Sequence, residues 1–386
     1  MNDLTKRTWA EIDLSALSHN YHTIRSILPE GCRFLGVVKA DAYGHGALRV
    51  ARLLEGEGAD YLAVSCLDEA LELRQGGISM PILILGHTPA QYTGLLIDNC
   101  LTQTAANLAK VREYSAEAVR LGKRLKLHLK LDTGMSRLGF LCADAHFEEG
   151  VEHIISSCAL PNLDIEGIYT HFAVSDEADR NSRDYTRMQF QLFTSVTEAV
   201  YARAGIRFLI RHCANSGAVV SFPETALDMV RPGLLLYGYG DGGILGLRPA
   251  MRLLTTVSTI KFYDSGTYVS YGRKYCTSSR TRVGVLAAGY ADGLPRLASG
   301  KFSCRIAGKD AKQIGTICMD MCMVDLSDVP EAEVGSRVEL FGPENDLQRL
   351  SDAAQTIPYE LLCAVTKRVP RVYLESDGIP EQSSSC

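Results

Sequence analysis

The stretch RFLGVVKADAYGHG, residues 33–46, carries an apolar run up to one lysine, Lys39, and then breaks into a turn-prone segment holding Tyr43 and two glycines. A buried ammonium is costly unless it is paired or neutral. Such a lysine either marks a solvated strand end or has an amine that does chemistry. Other reactive types follow other apolar runs: Lys130, Asp132 and Arg137 in LKLHLKLDTGMSRLGF, His171 in IYTHFA, His212, Asn215 and Ser216 in RHCANSG, and Arg231 in MVRPGLLLYG. Cations and imidazoles at the ends of at least four runs describe a site that handles an anion. A desolvated lysine among them can lose its proton and condense with a carbonyl.

These residues need elements to position them. β-rich runs fall at 33–39, 60–65, 81–86, 95–102, 125–132, 164–171, 207–212 and 229–238, with helical patterns between them. The helices expected are Ser15–Leu28, Ala47–Gly56, Leu67–Gly76, Ala105–Leu121 and Arg183–Ala204; two of them end on glycine, a common helix stop. Apolar strands alternating with helices indicate a parallel sheet covered on both faces. Eight repeats over this length suit a closed α/β barrel of the (β/α)8 TIM type, in which reactive groups gather at the C-terminal strand ends. After residue 240 the pattern changes to short β-like runs punctuated by Gly and Asp, until a helix over Ser351–Ala364. The expected domains are therefore a barrel over 1–240 and a mostly antiparallel β domain over 245–386.

Composition excludes several classes. The chain has 386 residues, a net charge of −5 and no apolar run of membrane-spanning length, so neither nucleic acid nor a bilayer is an expected partner. The opening residues lack an apolar signal core, and a cytoplasmic location is expected. Twelve cysteines in such a chain are expected to be reduced and mostly buried. The one close pair, Cys318 and Cys322, has no neighbouring ligand set, so no metal is expected. Gly238, Gly240 and Gly243 match a dinucleotide-binding spacing, but ILGLRP follows, and Pro249 opposes the helix such a site requires.

The carbonyl compound most often carried on a protein lysine is pyridoxal phosphate. It needs the amine, a phosphate cradle of hydroxyls and backbone N–H groups, and a partner for its ring nitrogen. Lys39, then Tyr43 with Ser216 and the Gly233 region, then Arg231 are the candidates.

On these motifs the sequence resembles the alanine racemases, pyridoxal phosphate enzymes built from a barrel and a C-terminal β domain. The resemblance rests on VVKADAYGHG, KLDTGMSRLGF, THFA, ANS, RPGLLLYG, SYGRKY, GYADGL, ICMD and IPYE, in that order. It implies that Lys39 holds the cofactor and acts as one of two opposed bases, with Tyr271 as the other. Arg137, His171 and Arg231 complete the catalytic set. It places Tyr43, His171, Asn215, Ser216, Arg231, Gly233, Leu234 and Tyr359 on the cofactor. Arg137, Met319 and Tyr271 meet the substrate, and Lys130 is a candidate for carbamylation. His128, His146 and His153 are expected to be structural. The activity implied is interconversion of L- and D-alanine for peptidoglycan, in a homodimer whose sites are shared between subunits. Serine or broad-specificity racemisation is the close rival, because an apolar pocket rejects one added hydroxyl poorly. A non-catalytic pyridoxal phosphate carrier is the rival of another class, and would need no second base.

Overall fold

The computed structural model describes residues 7–240 and 243–375 of the chain. Eight parallel strands, Arg33–Val37, Tyr61–Val64, Ile82–Ile84, Leu101–Ala105, Leu125–Asp132, Leu163–Tyr169, Ile210–His212 and Met229–Val230, pair in chain order, and the last pairs with the first. Between the seventh and eighth strands the backbone bonds Asp228 N to Arg211 O (3.1 Å) and Arg231 N to Ala214 O (2.9 Å) close the barrel. Tyr61–Val64 and Ile82–Ile84 are buried at every residue. That is why they read as continuous apolar runs: helices cover one face and the barrel interior the other.

Two strand expectations need correction. The run 95–102 opens in a helix, Thr93–Asp98, and only Leu101–Ala105 is strand; a short apolar run does not distinguish the two states. The run 229–238 is strand only at Met229–Val230 and becomes a 3-10 turn at Leu234–Tyr237, because Pro232 and Gly233 interrupt the ladder. Two barrel helices were not anticipated, Phe147–Cys158 and Ser216–Ser221.

The second sheet is mostly antiparallel and is built on the long strand Met251–Tyr263. Its surprise is the first strand of the chain. Thr8–Asp13 pairs antiparallel with Met251–Tyr263 and parallel with Arg371–Leu374, so the N-terminal residues belong to this sheet. Asp13 then caps the helix Leu14–Ser26 through Ala16 N, which turns the chain towards the barrel. The expected helix 351–364 is two, Leu347–Ala354 and Pro358–Ala364, the second opening on its proline. No helix follows Gly243 before Met251, which leaves the glycine triad in a connection. Among the described residues no helix is long and apolar enough to cross a membrane.

Candidate active site

Lys39 follows the first barrel strand, and the four residues after it, Ala40, Asp41, Ala42 and Tyr43, all have φ of 52 or 53°. A left-handed run costs about 1–2 kcal/mol per residue, so this turn must be held from outside. Glu69 Oε1 accepts Ala40 N (2.7 Å) and Asp41 Oδ1 accepts Ala47 N (2.7 Å). His45 Nδ1 lies 2.9 Å from Ala42 O. Arg371, on the last strand of the second sheet, donates from Nε to Gly44 O (3.0 Å). Thus the second sheet fixes the turn that aims Lys39 and Tyr43.

The other expected residues stand at neighbouring strand ends. Lys130 stands near the end of the fifth strand and is buried under the ring of Tyr169, 5.7 Å from its centroid. Asp132 Oδ1 accepts Gly134 N and Ser136 N (both 3.0 Å) and so shapes the loop bearing Arg137. His171 and Arg231 meet at 3.2 Å through Nδ1 and Nη2. Arg231 is buried and also donates to Thr170 O (2.8 Å), Cys213 O (3.1 Å) and His212 Nδ1 (3.0 Å), all from Nη1 or Nη2, with Nε in none of these bonds.

This crowd of cations sets the electrostatics. Burial, then Arg137, lowers the pKa of Lys39. Burial, then Arg137 and Arg231, brings Lys130 down to about 8. Burial, then Arg231 and Lys130, holds His171 far below the usual imidazole range. Amines lowered in pKa and a neutral imidazole beside permanent guanidinium charges bring nucleophiles and bases closer to neutral pH.

A second group converges below Lys39. Ser216 Oγ accepts Gly233 N (2.9 Å) and Leu235 N (3.4 Å). A Cβ at Gly233 would sit 2.7 Å from the Tyr43 hydroxyl, so only glycine leaves this hollow open. Tyr359, from the helix after Pro358, packs its ring 5.7 Å from that of Tyr43. Leu234 is buried beside them. Asn215 stands one step back: its Oδ1 accepts Ala218 N (3.1 Å) and Ser175 Oγ (2.6 Å), capping the short helix that begins at Ser216.

Tyr271 and Met319 lie on the second sheet's side and are exposed, 71% and 54%. The Tyr271 carbonyl accepts Thr316 Oγ1 (2.8 Å), which fixes its backbone while the ring projects outwards. No contact joins this ring to the barrel-mouth group among the interactions described. His128 and His212, the first expected to be merely structural, lie buried behind Arg231 with Glu166. The alternation K-L-H-L-K in the fifth strand was the available signal: His128 and Lys130 share the inward face.

The chain matches the family models "Alanine racemase, N-terminal domain" over residues 12–241 and "Alanine racemase, C-terminal domain" over 250–373. It is 42% identical over 388 residues to an alanine racemase of Clostridium perfringens, covering 98% of each chain. It is 44% identical over 380 residues to one of Desulfovibrio desulfuricans, covering 97% of this chain and 100% of that one. The solved alanine racemase of Clostridium difficile superposes with a TM-score of 0.91 at 39% identity, covering 98% of each chain. The chain belongs to the alanine racemase family.

Proposed function

We infer that this chain interconverts L- and D-alanine, using pyridoxal phosphate as its cofactor. The observation that carries the reading is the half-buried Lys39 amine, depressed in pKa and aimed by a strained turn into a ring of Lys130, Arg137, His171 and Arg231. The residues present fit the cofactor: a nucleophilic amine, a hollow kept open by Gly233 between Tyr43 and Ser216, and an arginine with Nε uncommitted to the barrel. When bound, pyridoxal phosphate withdraws electrons from the α-carbon of an amino acid and so makes its proton removable.

Lys39 would anchor the cofactor, and its amine would take or return the α-proton on one face of a bound amino acid. Tyr43, Ser216, Gly233, Leu234 and Tyr359 would hold the phosphate, with Asn215 keeping Ser216 in place. Arg231 would donate to the ring nitrogen and disfavour its protonation, which would moderate the electron withdrawal. Arg137 and the Met319 N–H bind the substrate carboxylate. Lys130, half neutral near pH 8, can take up carbon dioxide as a carbamate, releasing a proton, and become the anion that Arg137 lacks.

The second base is Tyr271, supplied from a second copy of the chain in a head-to-tail homodimer. The exposure of its ring supports this, as does the apolar hollow beside it, lined by Tyr263, Tyr268, Val269 and Val283. His171 Nδ1 accepts from Arg231, so its Nε2 carries the proton and is free to donate to that phenol. Residues 1–240 then carry the cofactor lysine and 245–386 the second base, with the first strand crossing between them. The enzyme works in the cytoplasm, and an isolated subunit is inactive.

The test is chiral analysis of purified protein given a panel of L-amino acids with the cofactor. D-alanine forms fastest under this reading. A serine rate above the alanine rate makes the enzyme a serine racemase, and cofactor bound without turnover makes it a carrier.

A further inference from the structure

Behind Arg231 a buried relay runs through the barrel interior. Arg231 Nη1 lies 3.0 Å from His212 Nδ1, and His212 Nε2 lies 2.9 Å from His128 Nδ1. His128 Nε2, which is buried without a hydrogen-bond partner, lies 3.5 Å from Glu166 Oε1. Glu166 accepts from Tyr61 Oη (2.7 Å) and Thr102 Oγ1 (3.3 Å), and Lys126 Nζ stands 3.4 Å away. Among the described residues no carboxylate bonds Arg231 itself.

The two ends of this chain set its direction together, a donor at Arg231 and an acceptor at Glu166. A guanidinium only donates, so His212 Nδ1 is bare and its one proton sits on Nε2. That proton points at His128 Nδ1, which must accept, so the proton of His128 sits on Nε2 and points at Glu166. A second proton on either ring would set two donors face to face. Burial, and Arg231 for His212, holds both imidazoles below their usual range. The other groups packed on the relay are Tyr169, stacked on His212 at 4.6 Å, and through it Lys130; they add a phenol and a cation but no anion.

The backbone is built for this arrangement. The register between strands Leu125–Asp132 and Leu163–Tyr169 shifts from Leu127↔Ile165 to His128↔Gly167, which leaves Glu166 as the extra residue of a β-bulge. A bulge re-aims a side chain at the cost of local pairing. A Cβ at Gly167 would lie 2.6 Å from two atoms of the His128 ring, so the next position must be glycine for the imidazole to fit.

We propose that Glu166 is a positioning residue for Arg231: as the terminal acceptor of the relay it locks both histidines in the Nε2–H form, and so keeps His212 an acceptor for the guanidinium. This rests on the assignment of Arg231 to the cofactor's ring nitrogen. Glu166→Lys offers His128 only a donor in place of the acceptor. The relay can then reverse, leaving His212 Nδ1–H against Arg231 Nη1–H with that bond lost.

Neutron diffraction from deuterium-exchanged holoenzyme crystals locates the protons directly. Deuterons on Nε2 alone in both histidines are expected; a deuteron on Nδ1 of either overturns the proposal. In Glu166→Lys deuterons appear on Nδ1, and the share of turnovers ending in transamination rises about tenfold. Glu166→Asp keeps the wild-type partition, and Tyr61→Phe, which keeps the carboxylate, leaves it unchanged. Unaltered deuterons or an unaltered partition in Glu166→Lys refutes the relay. Failure of the cofactor reading would show separately, as loss of borohydride-fixed cofactor from Lys39 in the wild type.

Discussion

At the barrel mouth the candidate residues are buried and interlocked: Arg231 has four hydrogen-bond partners, and the turn after Lys39 is held by Glu69, Asp41, His45 and Arg371. On the second sheet, Tyr271 is fixed only through its backbone and Met319 is exposed. The first region is densely bonded within one chain, whereas the side chains of Tyr271 and Met319 face outwards. The difference teaches that burial within one chain sets the electrostatics of the barrel mouth, whereas the proposal of Tyr271 as opposing base asks for a second copy of the chain. A further contrast lies in the histidines. All nine precede residue 213, so the second sheet has none.

The largest test of this contrast is Lys39→Ala, which removes anchor and base together. Activity falls by at least about 10⁴-fold and borohydride no longer fixes cofactor to the chain; cofactor still fixed elsewhere would make the mouth the wrong site. Next is Tyr271→Phe, which lowers turnover about 10²–10³-fold and slows α-proton removal from L-alanine more than from D-alanine. Equal losses would break the two-face assignment. Mixing Lys39→Ala with Tyr271→Phe subunits sharpens it: random exchange regenerates one intact shared site per hybrid dimer, about a quarter of wild-type activity. No recovery would place both residues in one chain's site.

The histidine contrast predicts acid lability. Burial drives His45 down to about 4 and lowers His128, His171 and His212. The folded state therefore refuses protons that the unfolded chain takes up below its ordinary imidazole range, near 6.5. Stability is fully present above that pH and is lost as pH falls towards 4, by roughly 3 kcal/mol for His45 alone. A urea midpoint that stays flat across this window would contradict the buried, neutral rings. The smallest effect is Asn215→Ala, which costs about 1 kcal/mol of stability through loss of the helix cap. Cofactor affinity falls with it as Ser216 loosens, while turnover at saturating cofactor is kept. A changed turnover would put Asn215 in direct contact with the reacting atoms.

Much of the barrel was legible because strands such as Tyr61–Val64 and Ile82–Ile84 are apolar throughout and its helices amphipathic, as in Ala47–Gly56, found at the bounds read from sequence. Residues at strand ends, Lys39, Lys130, His171 and Arg231, were legible because a barrel gathers those ends at one face. Boundaries failed where a short run had no period to read, as at 95–102, or where Pro232 and Gly233 cut a strand short. The first strand's place in the second sheet was invisible because pairing across more than 240 residues leaves no local pattern.

Residue types and their order implied by themselves an amine and several fixed cations at neighbouring strand ends, a set that handles an anion. Only the tertiary structure decided which of them are shifted in pKa, because pKa depends on burial and on neighbours far away in sequence. It alone turned His128 from a packing residue into a link between Glu166 and Arg231. A one-residue bulge set that link, and no spacing along the chain records a bulge.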